Sequence, residues 1–516
     1  MKTNAKIFAI VAALFTLCGA GCACAFLVFI IFRGLTGITS STTPLPMPPL
    51  PPPPVPTVEF NGLPTEKASN ADGSDFGADG IGDPYYPQMG NGGYDIANYD
   101  LTIDVDMGVE EISATAVLLA RSRQILSRFN LDLAGFDITS VKVDGAGAEF
   151  SREGGELIIT PAVQIPSEAE FTVEVAYAGR PGEGEAYGEI EFLEGWNFYS
   201  DGVIVAGEPT GAETWYPSNN HPRDKATFAF HITVAKPFVV AANGVLKERT
   251  DHGDTWTYDW VMDDPMASYL ATIAISNFEI REKTSKAGVL VRDYLDADIR
   301  DGVEASTAVL PEALDYFSSV FGPYPFDVSG VVVHELEIPF SLENQTLIVM
   351  GYTFAYDIVV VHELAHQWFG DSVSVASWKD IWLNEGFASY AETLWWEHTK
   401  GPGALREDLT DRYEYVRSIP ASRTEPIGDP GPDHLFDPEV YDRGALTLHA
   451  LRLKVGDEAF FRILREFYSR YRNGNAATAD FIALAEEVSG QDLEGFFQAW
   501  LFETTLPDIP ELGLSA

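Results

Sequence analysis

The stretch VVVHELAHQW, residues 359–368, places two histidines four positions apart with a glutamate between them. On an α-helix, residues i and i+4 lie on one face, so His362 and His366 can both aim an imidazole at one ion about 2 Å away. Glu363 then stands beside the ion without binding it, which is the place of a general base. A buried helix has no reason to leave these three side chains unpaired on an apolar stripe. The motif therefore predicts a metal site.

A third ligand is expected, because a hydrolytic zinc site usually has three protein ligands and one position for water. The stretch WLNEGFASYAE, which begins at Trp382, places Glu385 nineteen residues after His366, at the start of a helical pattern. The three cysteines stand at positions 18, 22 and 24, so the body of the chain cannot build a thiolate site. We predict one zinc ion bound by His362, His366 and Glu385.

The N-terminal segment is apolar. Ile7 to Phe32 contains no charged residue, two lysines precede it and Arg33 follows it. Such a length can cross a hydrocarbon core of roughly 30 Å, and the charge bias favours a cytoplasmic N-terminus. We predict that residues 1–33 form a single-pass anchor in the cell membrane with the catalytic body outside the cell. Cleavage as a signal peptide or lipidation of a cysteine in this segment is the alternative, and with cleavage the protein would be secreted.

Residues 34–90 are predicted to be a linker. The proline-rich stretch TPLPMPPLPPPPVPT over 43–57 favours an extended spacer, and a Gly- and Asp-rich stretch follows it. The whole chain has 77 acidic and 33 basic residues, a net charge of −44. Nucleic acid is therefore not expected as a partner, because its phosphates are bound by Lys and Arg. A substrate with a cationic amine would be attracted.

Two regions follow with different periods. Segments such as FTVEVAYAG, which begins at Phe171, alternate polar and apolar residues between positions 94 and 280, which predicts mostly antiparallel strands. From position 307 the pattern becomes helical. We predict an α+β multidomain chain, with a β domain over 91–281 and a catalytic domain over 282–516. The predicted helical blocks are 308–321, 356–369, 383–398, 444–453, 458–471 and 479–488.

The stretches HELAHQWFGDSV, from His362, and WLNEGFA, from Trp382, resemble the zinc aminopeptidases of the aminopeptidase N and leukotriene hydrolase family. The signature of that family is H-E-x-x-H, eighteen residues, then E. The likeness spans about residues 94–510. It implies an N-terminal β domain and a thermolysin-like α/β catalytic domain. Longer members add a C-terminal helical domain, whereas this chain stops at Ala516, so the resemblance implies a short bacterial-type form.

The same resemblance assigns the residues that bind substrate. FSLENQT matches the family's G-x-M-E-N segment at Glu343 and Asn344, which implies that Glu343 binds the free α-amine. AGEPTGAETWYPSNNHP, from Ala206, is similar to a segment that supplies a second amine-binding acid, here Glu208, although Ala206 replaces the family's glutamine. VYDRGALTLHALR places Tyr441 on the residue that donates a hydrogen bond to the oxyanion.

The predicted function is therefore zinc-dependent removal of the N-terminal residue from peptides. Glu363 acts as general base, Tyr441 assists the oxyanion, and two acids hold the ammonium of a peptide with a free N-terminus. Two alternatives remain at this stage. One is a metalloendopeptidase, and the other is an inactive surface protein that keeps the fold for binding.

Overall fold

The computed structural model describes residues 75–182, 194–199, 202–297, 299–336, 340–420 and 425–515. The predicted anchor over 1–33 lies outside the described residues, as does the proline-rich stretch of the linker. Within the described part, no helix is long and apolar enough to cross a membrane.

Strands dominate the described chain before residue 277. They are β1 (Tyr94–Asp106), β2 (Glu111–Ser122), β3 (Phe129–Asp132), β4 (Asp137–Val143), β5 (Ala146–Gly147), β6 (Glu149–Glu153), β7 (Glu156–Thr160), β8 (Glu170–Gly179), β9 (Gly195–Tyr199), β10 (Gly202–Ala206), β11 (Lys225–Ala235), β12 (Val239–Ala242), β13 (Val245–Asp251), β14 (Thr255–Ala267) and β15 (Ile273–Ser276).

An eight-stranded sheet forms the frame of this region, in the order β13-β14-β11-β1-β2-β8-β4-β5. In β1, Leu101 and Ile103 are buried while Thr102 and Asp104 are exposed, as expected for a sheet with one face on the core and one in water. Neighbouring strands are antiparallel except β1 and β11, which run parallel, so the prediction of an antiparallel domain holds with this exception. A smaller sheet, β12-β15-β10-β9, and a three-stranded sheet, β3-β7-β6, complete the region.

The second region combines a five-stranded sheet with helices. Its strands are β16 (Phe278–Thr284), β17 (Leu290–Asp296), β18 (Val328–His334), β19 (Ser341–Leu342), β20 (Ile348–Gly351), β21 (Val373–Val375) and β22 (Gly474–Ala476). Its helices are α1 (Arg300–Thr307), α2 (Leu310–Phe321), α3 (Asp357–His366), α4 (Trp382–Lys400), α5 (Pro402–Ser418), α6 (Pro438–Val455), α7 (Asp457–Tyr471), α8 (Thr478–Ser489) and α9 (Glu494–Leu501). The five-stranded sheet has the order β16-β17-β18-β20-β19. The predicted boundary between residues 281 and 282 falls inside β16.

Three helices position the site. Helix α3 is buried on all sides, since Ile358 to His366 all lie in the interior. Helices α4 and α6 come unusually close, because a Cβ built on Gly386 would lie 2.8 Å from the Gly444 Cα. Only glycine at both positions allows this approach, which brings the start of α4 beside the first turns of α6.

Residues 75–90, predicted as part of the linker, pack against both regions. Asp83 is buried and its Oδ2 accepts hydrogen bonds from Ser377 Oγ at 2.8 Å and Trp378 N at 3.0 Å. The same oxygen lies 3.1 Å from His221 Nε2 in the β region. Several donors around one buried carboxylate compensate for its desolvation, and these bonds hold residues 75–90 against both regions.

Candidate active site

The predicted metal ligands meet at one point. His362 and His366 lie one turn apart on α3, and Glu385 lies in the first turn of α4. Glu385 Oε2 is 3.3 Å from His362 Nε2 and 3.4 Å from His366 Nε2, and all three side chains are buried. Their ligand atoms lie within 4.8 Å of one another, and no other such group of His, Cys, Asp or Glu occurs among the described residues. Two imidazole nitrogens and a carboxylate oxygen at this spacing fit zinc, whose bonds are about 2.0–2.2 Å long.

The other ring nitrogen of each histidine is also held. His362 Nδ1 lies 2.7 Å from Glu392 Oε1, and His366 Nδ1 lies 3.1 Å from the Phe369 carbonyl oxygen. With the proton on Nδ1, each histidine donates there and leaves Nε2 free for a metal. Sequence reasoning missed Glu392, although its place two helical turns after Glu385 was available as a signal.

Glu392 is part of a buried charge cluster. Its Oε2 accepts a hydrogen bond from Arg412 NH2 at 2.8 Å, and the same guanidinium bonds Asp408 at 3.0 Å and Asp442 at 2.6 Å. Burial lowers the pKa of Arg412, but the three carboxylates outweigh it and the net shift is upward. Arg412 therefore stays charged, and it joins the helix of the predicted ligand Glu385 to the residue that follows Tyr441.

Glu363 follows His362 and is 6% exposed. Burial raises the pKa of this carboxyl to about 7, because the two neighbouring histidines only partly offset the loss of hydration. At Glu385 burial also favours the neutral form, but His366 and His362 together outweigh it and lower the pKa to about 2. The pKa values of the two glutamates therefore differ: Glu385 is an anion suited to a cation, and Glu363 can exchange a proton near neutral pH.

Tyr441 lies in the first turn of α6, and its ring is 6.0 Å from the His362 ring. Burial raises the pKa of the phenol well above its usual value, and Glu385, Glu208, Glu363 and Glu343 all act in the same direction. The phenol therefore remains a hydrogen-bond donor at working pH. All four glutamates are therefore near enough to Tyr441 to affect its phenol.

Glu343 follows the edge strand β19. It is 3% exposed, and its Oε1 has no hydrogen-bond partner among the described residues. Burial raises its pKa. Gln367, the residue after His366, fixes this segment: its Nε2 donates to the Glu343 carbonyl oxygen at 2.7 Å, and its Oε1 accepts from Thr346 N at 2.8 Å. Asn344 donates from Nδ2 to the Leu270 carbonyl oxygen at 3.1 Å, and its Oδ1 is buried without a hydrogen-bond partner among the described residues.

Glu208 enters from the β region, two residues after the end of β10. Its Oε1 also lacks a hydrogen-bond partner in the part of the chain that the structure describes. Burial raises its pKa well above the usual value, and Glu343 contributes the next largest effect. Glu385 also raises the pKa of both Glu208 and Glu343, so carboxyl groups from two different regions lie near the metal-binding group.

Arg443 lies two residues after Tyr441 but contacts a different part of the structure. It is fully buried, and its guanidinium donates to carbonyl oxygens near the end of α9, among them Trp500 at 2.8 Å and Thr504 at 3.0 Å. Its contact is therefore with the end of α9, whose terminal carbonyls otherwise lack donors.

Comparison with known proteins finds two models of one peptidase family in this chain. The Peptidase family M1 domain matches residues 303–500, and the Peptidase M1 N-terminal domain matches residues 96–270. Glutamyl aminopeptidase of Sus scrofa is 28% identical over 378 residues, covering 65% of this chain and 40% of that protein. Leucyl aminopeptidase of Saccharolobus solfataricus is 26% identical over 418 residues, covering 75% and 50%. The chain spans half or less of the length of these curated relatives.

A solved structure matches over nearly its whole length. The M1 zinc metallopeptidase of Deinococcus radiodurans has 30% sequence identity and a TM-score of 0.78, and the match covers 84% of this chain and 99% of that one. The likeness confirms the predicted α+β architecture and zinc as the cofactor.

Proposed function

Because the chain belongs to peptidase family M1, we propose that it is a zinc-dependent aminopeptidase, which hydrolyses the N-terminal residue from peptides. The aminopeptidases among its relatives support this activity. A mutant of the Deinococcus radiodurans protein has also been solved bound to a Tyr-Ser-Ala substrate. Two further structures show a mutant of a two-domain M1 zinc metallopeptidase bound to L-tryptophan and to L-arginine.

Each site residue has a role in this proposal. His362, His366 and Glu385 hold zinc, which when bound supplies a Lewis acid that polarises the scissile carbonyl and acidifies water. Glu363 takes a proton from the attacking water and later gives it to the departing amine. Tyr441 donates a hydrogen bond to the oxygen on which negative charge develops.

The substrate's ammonium is held by two acids. Glu343 and Glu208 each carry a buried carboxyl oxygen without a partner, and burial opposes ionisation of both groups. A cation between them would restore their ionised forms and fix the distance from the chain end to the reacting carbonyl. These two unpartnered carboxyl oxygens are the observation that carries the proposal, since an endopeptidase places an uncharged peptide there and would leave both oxygens without a cationic partner.

The test uses the purified zinc-loaded chain with aminoacyl fluorogenic amides and their N-acetylated forms. We expect release from the free-amine substrates only, loss of release with a zinc chelator, and a strong loss with Glu363→Gln. Glu397→Gln, a change on the same helix as Glu385, serves as the matched control. Equal cleavage of the blocked substrates would instead indicate an endopeptidase, and bound zinc without any cleavage would indicate a binding protein.

We further propose that residues 1–33 anchor the chain in the cell membrane, with the catalytic body outside the cell. The support is the uncharged stretch from Ile7 to Phe32, with lysines before it and Arg33 after it. Protease treatment of intact cells should then release the catalytic body. Activity found only in the medium would favour a cleaved signal instead.

A further inference from the structure

The hydroxyl of Tyr269 is buried without a partner. Tyr269 lies in a short 3-10 turn, Ser268–Leu270, which follows β14, and it is 1% exposed. Its hydroxyl oxygen has no hydrogen-bond partner among the described residues. A buried hydroxyl left unsatisfied costs roughly 1–3 kcal/mol, so this position needs a ligand or another reason.

The backbone of Tyr269 is fixed between the segments that carry the two acids. A Cβ built on Gly207 would lie 2.3 Å from the Tyr269 carbonyl oxygen, so the residue before Glu208 packs directly on it. On the other side, the carbonyl oxygen of Leu270 accepts a hydrogen bond at 3.1 Å from Asn344, the residue after Glu343. The turn that carries Tyr269 therefore packs on the residue before Glu208 and accepts a hydrogen bond from the residue after Glu343.

The charges around the phenol identify the same place. Burial raises the pKa of Tyr269 well above its usual value, and the carboxylates that raise it most are Glu343 and then Glu208. Glu343 Oε1, Glu208 Oε1 and the Tyr269 hydroxyl are all buried and unpartnered, so none of them bonds another. Ala206, two residues before Glu208, adds no polar side chain. Two carboxylates and one neutral phenol whose oxygens lack partners offer three acceptors, which suits a cation with three donors.

We propose that Tyr269 is a third binding residue for the substrate's ammonium, an assignment that rests on the proposed aminopeptidase function. The two glutamates accept two of the three N–H groups, and the phenol oxygen accepts the third. A neutral acceptor adds a contact without a third negative charge, which the site already has in excess.

The experiment compares L-tryptophan with indole-3-propionate, which is the same molecule without the amine. Binding to the zinc-loaded full chain is measured by calorimetry, so turnover is not needed. Tyr269→Phe should weaken L-tryptophan binding about 10- to 100-fold, the usual worth of a hydrogen bond to a charged group. It should leave indole-3-propionate unchanged. Tyr177→Phe is the control, because that buried hydroxyl donates to the Trp215 carbonyl oxygen at 3.0 Å instead.

Three results would overturn the assignment: no loss for either ligand, an equal loss for both, or a wild-type chain that does not distinguish them. Where Tyr269→Phe does not fold, the wild-type chain is titrated with L-tryptophan and its N-methyl derivative. With three acceptors the first methyl group weakens binding, and a tolerated methyl group contradicts the proposal. An inactive wild-type chain that still prefers L-tryptophan would refute the proposed hydrolysis and leave this assignment standing.

Discussion

The substitution Glu392→Gln separates zinc binding from folding stability. Glu392 Oε1 lies 2.7 Å from His362 Nδ1, and its Oε2 accepts from Arg412 at 2.8 Å. Glutamine keeps the shape of the side chain but removes its charge. The carboxylate that orients His362 and raises its basicity is therefore lost, while the ring itself stays in place.

The expected loss of zinc affinity is larger than the expected change in the free energy of unfolding. Loss of a partner that orients a metal-binding histidine typically weakens metal affinity 10- to 100-fold, which is about 1.4–2.8 kcal/mol. The free energy of unfolding of the metal-free chain should change by about 1 kcal/mol or less, because Arg412 keeps Asp408 and Asp442 as partners. Three carboxylates face one guanidinium, so removing one negative charge leaves no buried cation unpaired.

Competition with a chromophoric chelator measures the zinc affinity, and urea unfolding of the metal-free chain measures the stability. Glu397→Gln is the matched control, because Glu397 lies on the same helix but pairs with Arg452 and not with a predicted metal ligand. An unchanged zinc affinity in Glu392→Gln would refute the orienting role of Glu392. A large loss of stability with an unchanged affinity would make Glu392 a residue of the fold alone.

Three further substitutions test the buried charge cluster and the two proposed catalytic residues. Arg412→Met should lower the free energy of unfolding by about 3–5 kcal/mol in urea, because buried carboxylates lose their cation; Arg121→Met, which breaks an exposed pair, should change it by about 0.5 kcal/mol or less. Glu363→Gln should lower kcat by about 10²–10⁴-fold while the zinc content measured by atomic absorption stays the same, and loss of zinc would contradict its role as a base. Tyr441→Phe should lower kcat about 10²–10³-fold with little change in KM, and a change confined to KM would contradict a role at the oxyanion.

Periodicity located most of the helices near the site. The predicted blocks 356–369 and 383–398 correspond to α3 and α4, because an apolar stripe repeats there at helical spacing. Helix α5 was not predicted. Its inward face carries apolar side chains at helical spacing, but the buried charges of Asp408 and Arg412 lie among them and interrupt the stripe by which a helix is recognised in a sequence.

The residues proposed to bind substrate show the same contrast between what a local pattern indicates and what long-range packing decides. FSLENQT and the segment from Ala206 pointed to Glu343 and Glu208 by resemblance, but the sequence carries no sign that the turn of Tyr269 contacts both segments. Tyr269 belongs to a different segment, and its neighbours Gly207 and Asn344 are distant in the chain. Contacts of this kind depend on how two regions pack, and no local pattern encodes them.

The sequence by itself determined the α+β class and the metal-binding motif, and it predicted Glu385 as the third ligand, because helix geometry turns a spacing of four residues into one face and because ligand chemistry restricts the residue types. Only the tertiary structure decided the charge cluster of Glu392, Arg412 and Asp442, and the place of Tyr269. The physical reason is that burial and long-range packing set which polar groups lose water and which partner each one then finds.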